Sequence, residues 1–127
     1  MARARPIDAV LARLSALGVD AGRVLSASRE TPAGRLQWRI AVRDDGALLH
    51  HGALPTLIEW GHTHPAAAMF PVGVQLRRLV LRGLSQPVWS ALALSSVAEP
   101  PERDDPRAHG LSAVLDTPRG RLTLHSA

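Results

Sequence analysis

Hydrophobic positions change period along this chain, and the changes mark its elements. Ile7, Val10, Leu11, Leu14 and Leu17 recur at helical spacing and make one apolar stripe. Pro6 suits a first helical turn, Asp8 complements the positive end of the helix, and Gly18 is a natural stop. The spacing predicts a helix over residues 6–17. Further on, Leu36, Trp38, Ile40 and Val42 alternate with Arg35, Gln37, Arg39 and Arg43. Period two predicts a strand whose apolar face is buried and whose arginine face is wet. Thr31-Pro32-Ala33-Gly34 and Asp44-Asp45-Gly46 bracket it as turns.

Weaker patterns complete the order. Strands are predicted over residues 23–30, where Val24 and Leu25 are the strong β-formers, and over 54–60, with Pro55 near the start where proline is tolerated. Pro65 and Pro71 mark residues 61–73 as a loop. A strand follows over 74–82, with a bulge expected at the adjacent Arg77 and Arg78. Residues 86–96 read as a helix with Val88, Trp89, Leu92 and Val97 facing inward. Residues 98–110, rich in Pro, Asp and Arg, read as an exposed loop. A hairpin of 111–115 and 121–125 closes the chain around Asp116-Thr117-Pro118-Arg119-Gly120. The expected class is α+β with a mainly antiparallel sheet. The first helix starts with no strand ahead of it, so the sheet is expected to lack its leading strand.

Composition narrows the function. A chain of 127 residues, 46% hydrophobic and 20% charged, suits a single domain with its own core. It has no cysteine, which removes disulfides, thiolate metal sites and cysteine nucleophiles, and fits a cytoplasmic protein. No apolar run approaches a membrane span, and the basic start Met1-Ala2-Arg3-Ala4-Arg5-Pro6 lacks the apolar core of a signal peptide. The net charge is +4 and every basic side chain is arginine. Among many Ala, Leu and Gly, this is the composition expected of a GC-rich bacterial genome. With 3% aromatic residues there is little for base stacking, so nucleic acid is not the expected partner.

Two groups of residues carry candidate chemistry. His62 and His64 flank Thr63, and histidines at i and i+2 point the same way from extended backbone. Neutral imidazole suits a divalent metal (Zn, Fe, Ni or Mn), and Glu59 is near enough in sequence to serve as third ligand or general base. The plainer expectation is a structural corner at His64-Pro65, its imidazole bonded to backbone, with Glu59 paired to an arginine. Arg35, Arg39 and Arg43 share one strand face, which Arg29, Arg77 and Arg78 are expected to join across the sheet. Such a row would grip a carboxylate or phosphate; its plainer reading is a solvated face. Trp38 and Trp60 are core candidates, Trp60 also a pocket wall. His50, His51, His109 and His125 receive no role. There is no Gly-rich phosphate loop, nucleophile elbow or His-Glu-x-x-His.

Leu57-Ile58-Glu59-Trp60-Gly61, then His64-Pro65, then Gly73-Val74-Gln75-Leu76-Arg77-Arg78-Leu79 resemble the glyoxalase-like domain proteins of the vicinal oxygen chelate superfamily. The helix from Ile7 to Gly18, the segments Ser28-Arg29-Glu30 and Leu36-Gln37-Trp38-Arg39, and the closing Leu115 to Gly120 agree with it, so the resemblance covers roughly residues 6–125. It implies βαβββ modules whose curved sheets form a cup for a small molecule and often a divalent metal. The chain then corresponds to the later portion of a paired-module protein, completed by a second copy in a homodimer or by a missing upstream module. On this reading Glu59 is catalytic, His62 and His64 bind metal, and Arg35, Arg39, Trp60 and Arg77 contact ligand. The implied activity is that of a metal-dependent lyase, isomerase or dioxygenase. Against it stand a non-catalytic ligand-sequestering protein of the same fold and, more remotely, a nucleic-acid binder using the arginine face.

Overall fold

The computed structural model describes residues 6–94, 98–99 and 110–126. Their contacts group the chain into two compact units. One takes the chain up to Ala47 together with Thr56–Phe70; the other takes Leu48–Pro55 and the chain from Pro71 onward. The class is α+β, with two helices and two mostly antiparallel sheets. Among the described residues no helix is long and apolar enough to cross a membrane.

In the first unit, helix α1 spans Ile7–Ala16 and buries Ile7, Val10 and Leu14. Those are three members of the predicted stripe; Leu17 lies past the helix and is exposed. The chain leaves through Gly18 in the left-handed region, φ 76°, where the Gly18 N–H donates to Ser15 O. Strands β1 (Arg23–Thr31) and β2 (Gly34–Val42) then pair antiparallel from Arg23 opposite Val42 to Thr31 opposite Gly34. The Thr31 hydroxyl donates to Gly34 O at 2.6 Å and fastens their turn. Gly22, φ 98°, lets β1 begin against the end of β2: a Cβ there would lie 2.1 Å from Val42 O.

Strand β3 is shorter than predicted, Ile58–Trp60, and pairs antiparallel with β2. Pro55 has no N–H to offer a ladder, which accounts for the late start. The hydrogen bonds nevertheless outrun the strand at both ends, from Ala41 N to Leu57 O and from Gly61 N to Gln37 O. The 61–73 segment is not wholly loop, since Pro65–Ala68 forms a 3-10 turn.

The alternation in β2 is real, but its faces are not covered as predicted. Leu36, Trp38, Ile40 and Val42 are only half-buried, while Ala41, on the arginine face, is 5% exposed. Helix α1 packs on that arginine face, as its contacts to Arg39 and Glu59 show. A small residue there admits the helix backbone closely, and long arginine side chains reach out around it.

In the second unit the strand order is β5-β4-β6-β7, with β4 Gln75–Arg82, β5 Ala98–Glu99, β6 Gly110–Thr117 and β7 Gly120–His125. The predicted bulge is present: the β4–β6 register shifts between Leu76 and Arg78. Its effect is to keep Leu76, Leu79 and Leu81 on one face, opposite Leu115, Ala113 and Leu111, despite two adjacent arginines. The Thr117 hydroxyl donates to Gly120 O at 2.7 Å in the β6–β7 turn.

Helix α2 runs only Gln86–Leu92, not to 96, because Ala93 turns left-handed at φ 49°. It buries Val88, Ala91 and Leu92, with Trp89 half-buried. The predicted 98–110 loop is corrected at both ends. Ala98 and Glu99 pair in parallel with β4, and Gly110 opens β6. Residues 100–109, including His109, lie outside the described residues, as does Val97. His50 and His51 fall in a 3-10 turn and both hold positive φ, 52° and 55°, an uncommon conformation for residues with a Cβ.

Candidate functional site

A cavity of about 460 Å³ opens over the sheet of the first unit. Two cross-strand rows build it. Ser26, Arg39 and Glu59 stand opposite one another across β1, β2 and β3. Ser28 stands opposite Gln37, and the Gly61 N–H bonded to Gln37 O continues that row. Side chains opposite each other share a face, so serine hydroxyls, the Gln37 amide, the Arg39 guanidinium and the Glu59 carboxylate rise together. A Cβ on Gly61 would sit 3.2 Å from Gln37 O, tight enough that the lack of a side chain keeps the floor low.

The charges of this cavity are tied to α1. Glu59 Oε2 accepts from the backbone N–H of Ile7 at 2.7 Å, meeting one of the helix's unpartnered N-terminal donors. Arg39 Nη2 donates to both carboxylate oxygens of Asp8, at 2.9 and 2.8 Å, and its Nη1 lies 3.6 Å from Glu59 Oε1. The hydrogen bond to Asp8, reinforced by Glu59, raises the Arg39 pKa above its ordinary value despite partial desolvation. Arg35 lies on the same face, bonded to the Ser28 hydroxyl at 3.2 Å and 3.5 Å from Glu30.

Trp60 alternates with Glu59 along β3, yet with Trp38 and Ala27 it also lines the cavity, as the expectation of a pocket wall had it. It stands opposite Trp38, their ring centroids 5.5 Å apart, and the His64 ring meets it edge-on at 5.6 Å. Glu59 and His64 therefore serve opposite faces of β3. His64 Nδ1 accepts from the Ala66 N–H at 3.1 Å and caps the 3-10 turn at Pro65–Ala68; His62 is exposed. Among the described residues no three His, Asp or Glu side chains converge to hold a metal ion. His62, His64 and Glu59 thus do not fit a divalent metal.

The expected arginine row is broken up. Arg35 and Arg39 share a face, but Arg29 stands opposite Leu36 and so belongs to the other one. Arg77 and Arg78 sit in the other sheet, engaged by Asp116 and by Glu99 at 2.7 Å respectively. Trp60 shares the sheet of Arg35 and Arg39 but faces away from them.

Ser26, Ser28, Gln37, Gly61 and the partner Asp8 were absent from the sequence-derived candidates. The i, i+2 spacing of Ser26 and Ser28 in a strand was a signal available for the serines. Nothing in the spacing of Asp8 and Arg39, thirty-one positions apart, announces their contact.

No curated protein and no solved structure matches the chain significantly. The glyoxalase-like domain model matches residues 1–96, a span that ends before β6 and β7 and holds every residue of the cavity. With three-quarters of its length matched, and with an α+β fold of the kind that resemblance implied, this chain belongs to the glyoxalase-like domain family.

Proposed function

We propose that this protein binds a small molecule in the cavity over β1, β2 and β3. The observation that carries the reading is a cavity within the size range of small-ligand pockets, floored by two rows of hydrogen-bonding side chains inside the family-matched span. Ser26, Ser28 and Gln37 are its contact groups; Glu59 and Arg39 shape it and hold α1 against it. The reading favours ligand sequestration over a metal-dependent lyase, isomerase or dioxygenase. What supports that choice is the employment of Glu59 and His64 in backbone hydrogen bonds on opposite faces of one strand.

The test is a metabolite screen by two-dimensional NMR on the full chain, repeated with Ser28→Phe, which fills the cavity. A ligand that shifts the Ser26, Gln37 and Gly61 amides in the parent and not in the variant supports the reading. One equivalent of tightly bound transition metal, lost in His62→Ala and His64→Ala, would overturn it in favour of the enzyme.

A specific feature also favours association with a second copy. Strand β7 is a sheet edge with all six residues exposed, and Leu122 and Leu124 on it are 47% and 48% exposed. An unpaired edge with apolar side chains is a template for another strand. Light scattering should give the dimer mass for the parent and the monomer mass for Leu122→Glu; a parent of monomer mass would sink this part.

A further inference from the structure

We propose that Arg77 and Arg121, held by Asp116, form a binding site for a phosphate monoester or inorganic phosphate on the second unit. Every residue it uses belongs to the second unit. Its starting point is charge stoichiometry. Asp116 Oδ1 accepts from Arg121 Nε at 2.9 Å, and Oδ2 accepts from Arg77 Nε. One carboxylate thus faces two guanidiniums, and among the described residues neither arginine pairs with another acid. Among the described residues, one positive charge is left uncompensated.

The geometry leaves that charge usable. Each arginine gives its Nε–H to Asp116, so the Nη edge of each guanidinium remains, and two N–H groups on one edge match two oxygens of a phosphate. The Arg77 and Arg121 side chains are 56% and 68% exposed, whereas Asp116 beneath them is 29% exposed. The carboxylate is the spacer and the forks stand above it. Asp116 is also held ionised: Arg121 and then Arg77, by hydrogen bonding, lower its pKa below the usual carboxylate value.

The fold supplies the convergence. Gln75, Asp116 and Arg121 lie opposite one another across β4, β6 and β7. The bulge between Leu76 and Arg78 releases Arg77 from the ladder while keeping the leucines of β4 on the apolar face. Arg77 thereby reaches the Asp116 side without exposing Leu79 or Leu81. Thr123, two positions from Arg121 along β7, adds a hydroxyl donor on the same face, and Arg119 stands in the adjoining turn. A phosphate monoester is favoured over a carboxylate because its second charge and third oxygen match two forks and a hydroxyl.

The experiment is titration of the full chain with inorganic phosphate at constant ionic strength, following the arginine Nε–H resonances by NMR. Arg77 and Arg121 should shift together and saturate. Arg23 and Arg35, exposed and each beside a single acid, should not. Arg121→Gln and Arg77→Gln should each weaken binding by about tenfold; both side chains are exposed, and the loss must appear in each while the amide spectrum stays folded. Equal shifts at Arg23 and Arg35 would mean an adventitious ion only, and overturn the site. Methyl phosphate should saturate it as inorganic phosphate does. Saturation by a phosphodiester oligonucleotide but by neither of these would overturn it as well, by making the surface one for nucleic acid.

Discussion

Charge clusters on the two sheets combine arginine and carboxylate in opposite ratios. In the first unit, two arginines each meet two acids. Arg39 lies between Asp8 and Glu59, and Arg43 lies between Asp45, at 2.6 Å, and Asp20, at 3.6 Å. In the second unit, the carboxylate is outnumbered, since Asp116 lies between Arg77 and Arg121. The same residue type therefore performs different work. Where two acids surround a guanidinium, its donors are consumed in fixing a helix or a turn, and little remains for an anionic ligand. Where two guanidiniums share an acid, donors are left over. Counting arginines in a sequence predicts neither outcome; counting the acids each one meets predicts both.

Breaking the first arrangement should cost most. The largest effect is expected from Leu14→Ala, which empties the most fully buried large side chain of α1 and unseats the helix carrying Asp8. Urea unfolding should show a loss of about 2–5 kcal/mol. The next is Glu59→Ala. It removes the acceptor of the partly buried Ile7 N–H and one partner of Arg39, for an expected loss of about 1–3 kcal/mol. Glu59→Gln keeps an acceptor oxygen and should cost less than half as much as the alanine variant.

The comparison sharpens with Asp116→Asn. Its ion pairs join exposed guanidiniums, so the urea midpoint should move far less than in Glu59→Ala. If Asp116→Asn proved as costly as Glu59→Ala, the second cluster would be structural like the first, and the contrast would fail.

The smallest effect is on acid stability. Arg43, by hydrogen bonding, and then the Ala47 N–H lower the Asp45 pKa to about 2 from an ordinary 3.8, and Asp116 is shifted the same way by Arg121 and Arg77. A depressed carboxylate pKa contributes stability that is present above the unfolded value and lost as pH falls through the folded one. Thermal midpoints should therefore decline as pH drops from about 4 toward 2. Asp45→Asn and Asp116→Asn should each make that decline shallower, and an unchanged slope in both would remove the two pairs as its source.

Much of this was legible from local pattern. The helical stripe at Ile7, Val10 and Leu14 predicted α1 to within a residue or so, and strict alternation predicted β2. Two adjacent arginines in an otherwise alternating run predicted the bulge in β4, because keeping leucines on one face leaves no other solution. The plainer expectations for the histidine corner and for Glu59 also describe what is found: His64 bonds backbone, and Glu59 pairs with an arginine. Alternation could not say which face of β2 a helix would cover. The bulkier set, Leu36, Trp38, Ile40 and Val42, is only half-buried, and Ala41 on the other face is the buried residue. Nor did anything local predict the left-handed Ala93 that ends α2 early, or the parallel pairing of Ala98 and Glu99.

By itself the sequence determined periods, turns and residue types, and with them the family, the class and most elements. These rest on interactions within a few residues of one another, where backbone geometry fixes which side chains are neighbours. Tertiary structure decided the partners. Glu59 meets the Ile7 N–H across 52 positions, Arg39 meets Asp8 across 31, and Arg77 meets Asp116 across 39. Each contact depends on where a helix or strand lands after the chain has turned several times. That placement leaves Arg39 compensated by two acids and makes Arg77 share a single acid with Arg121.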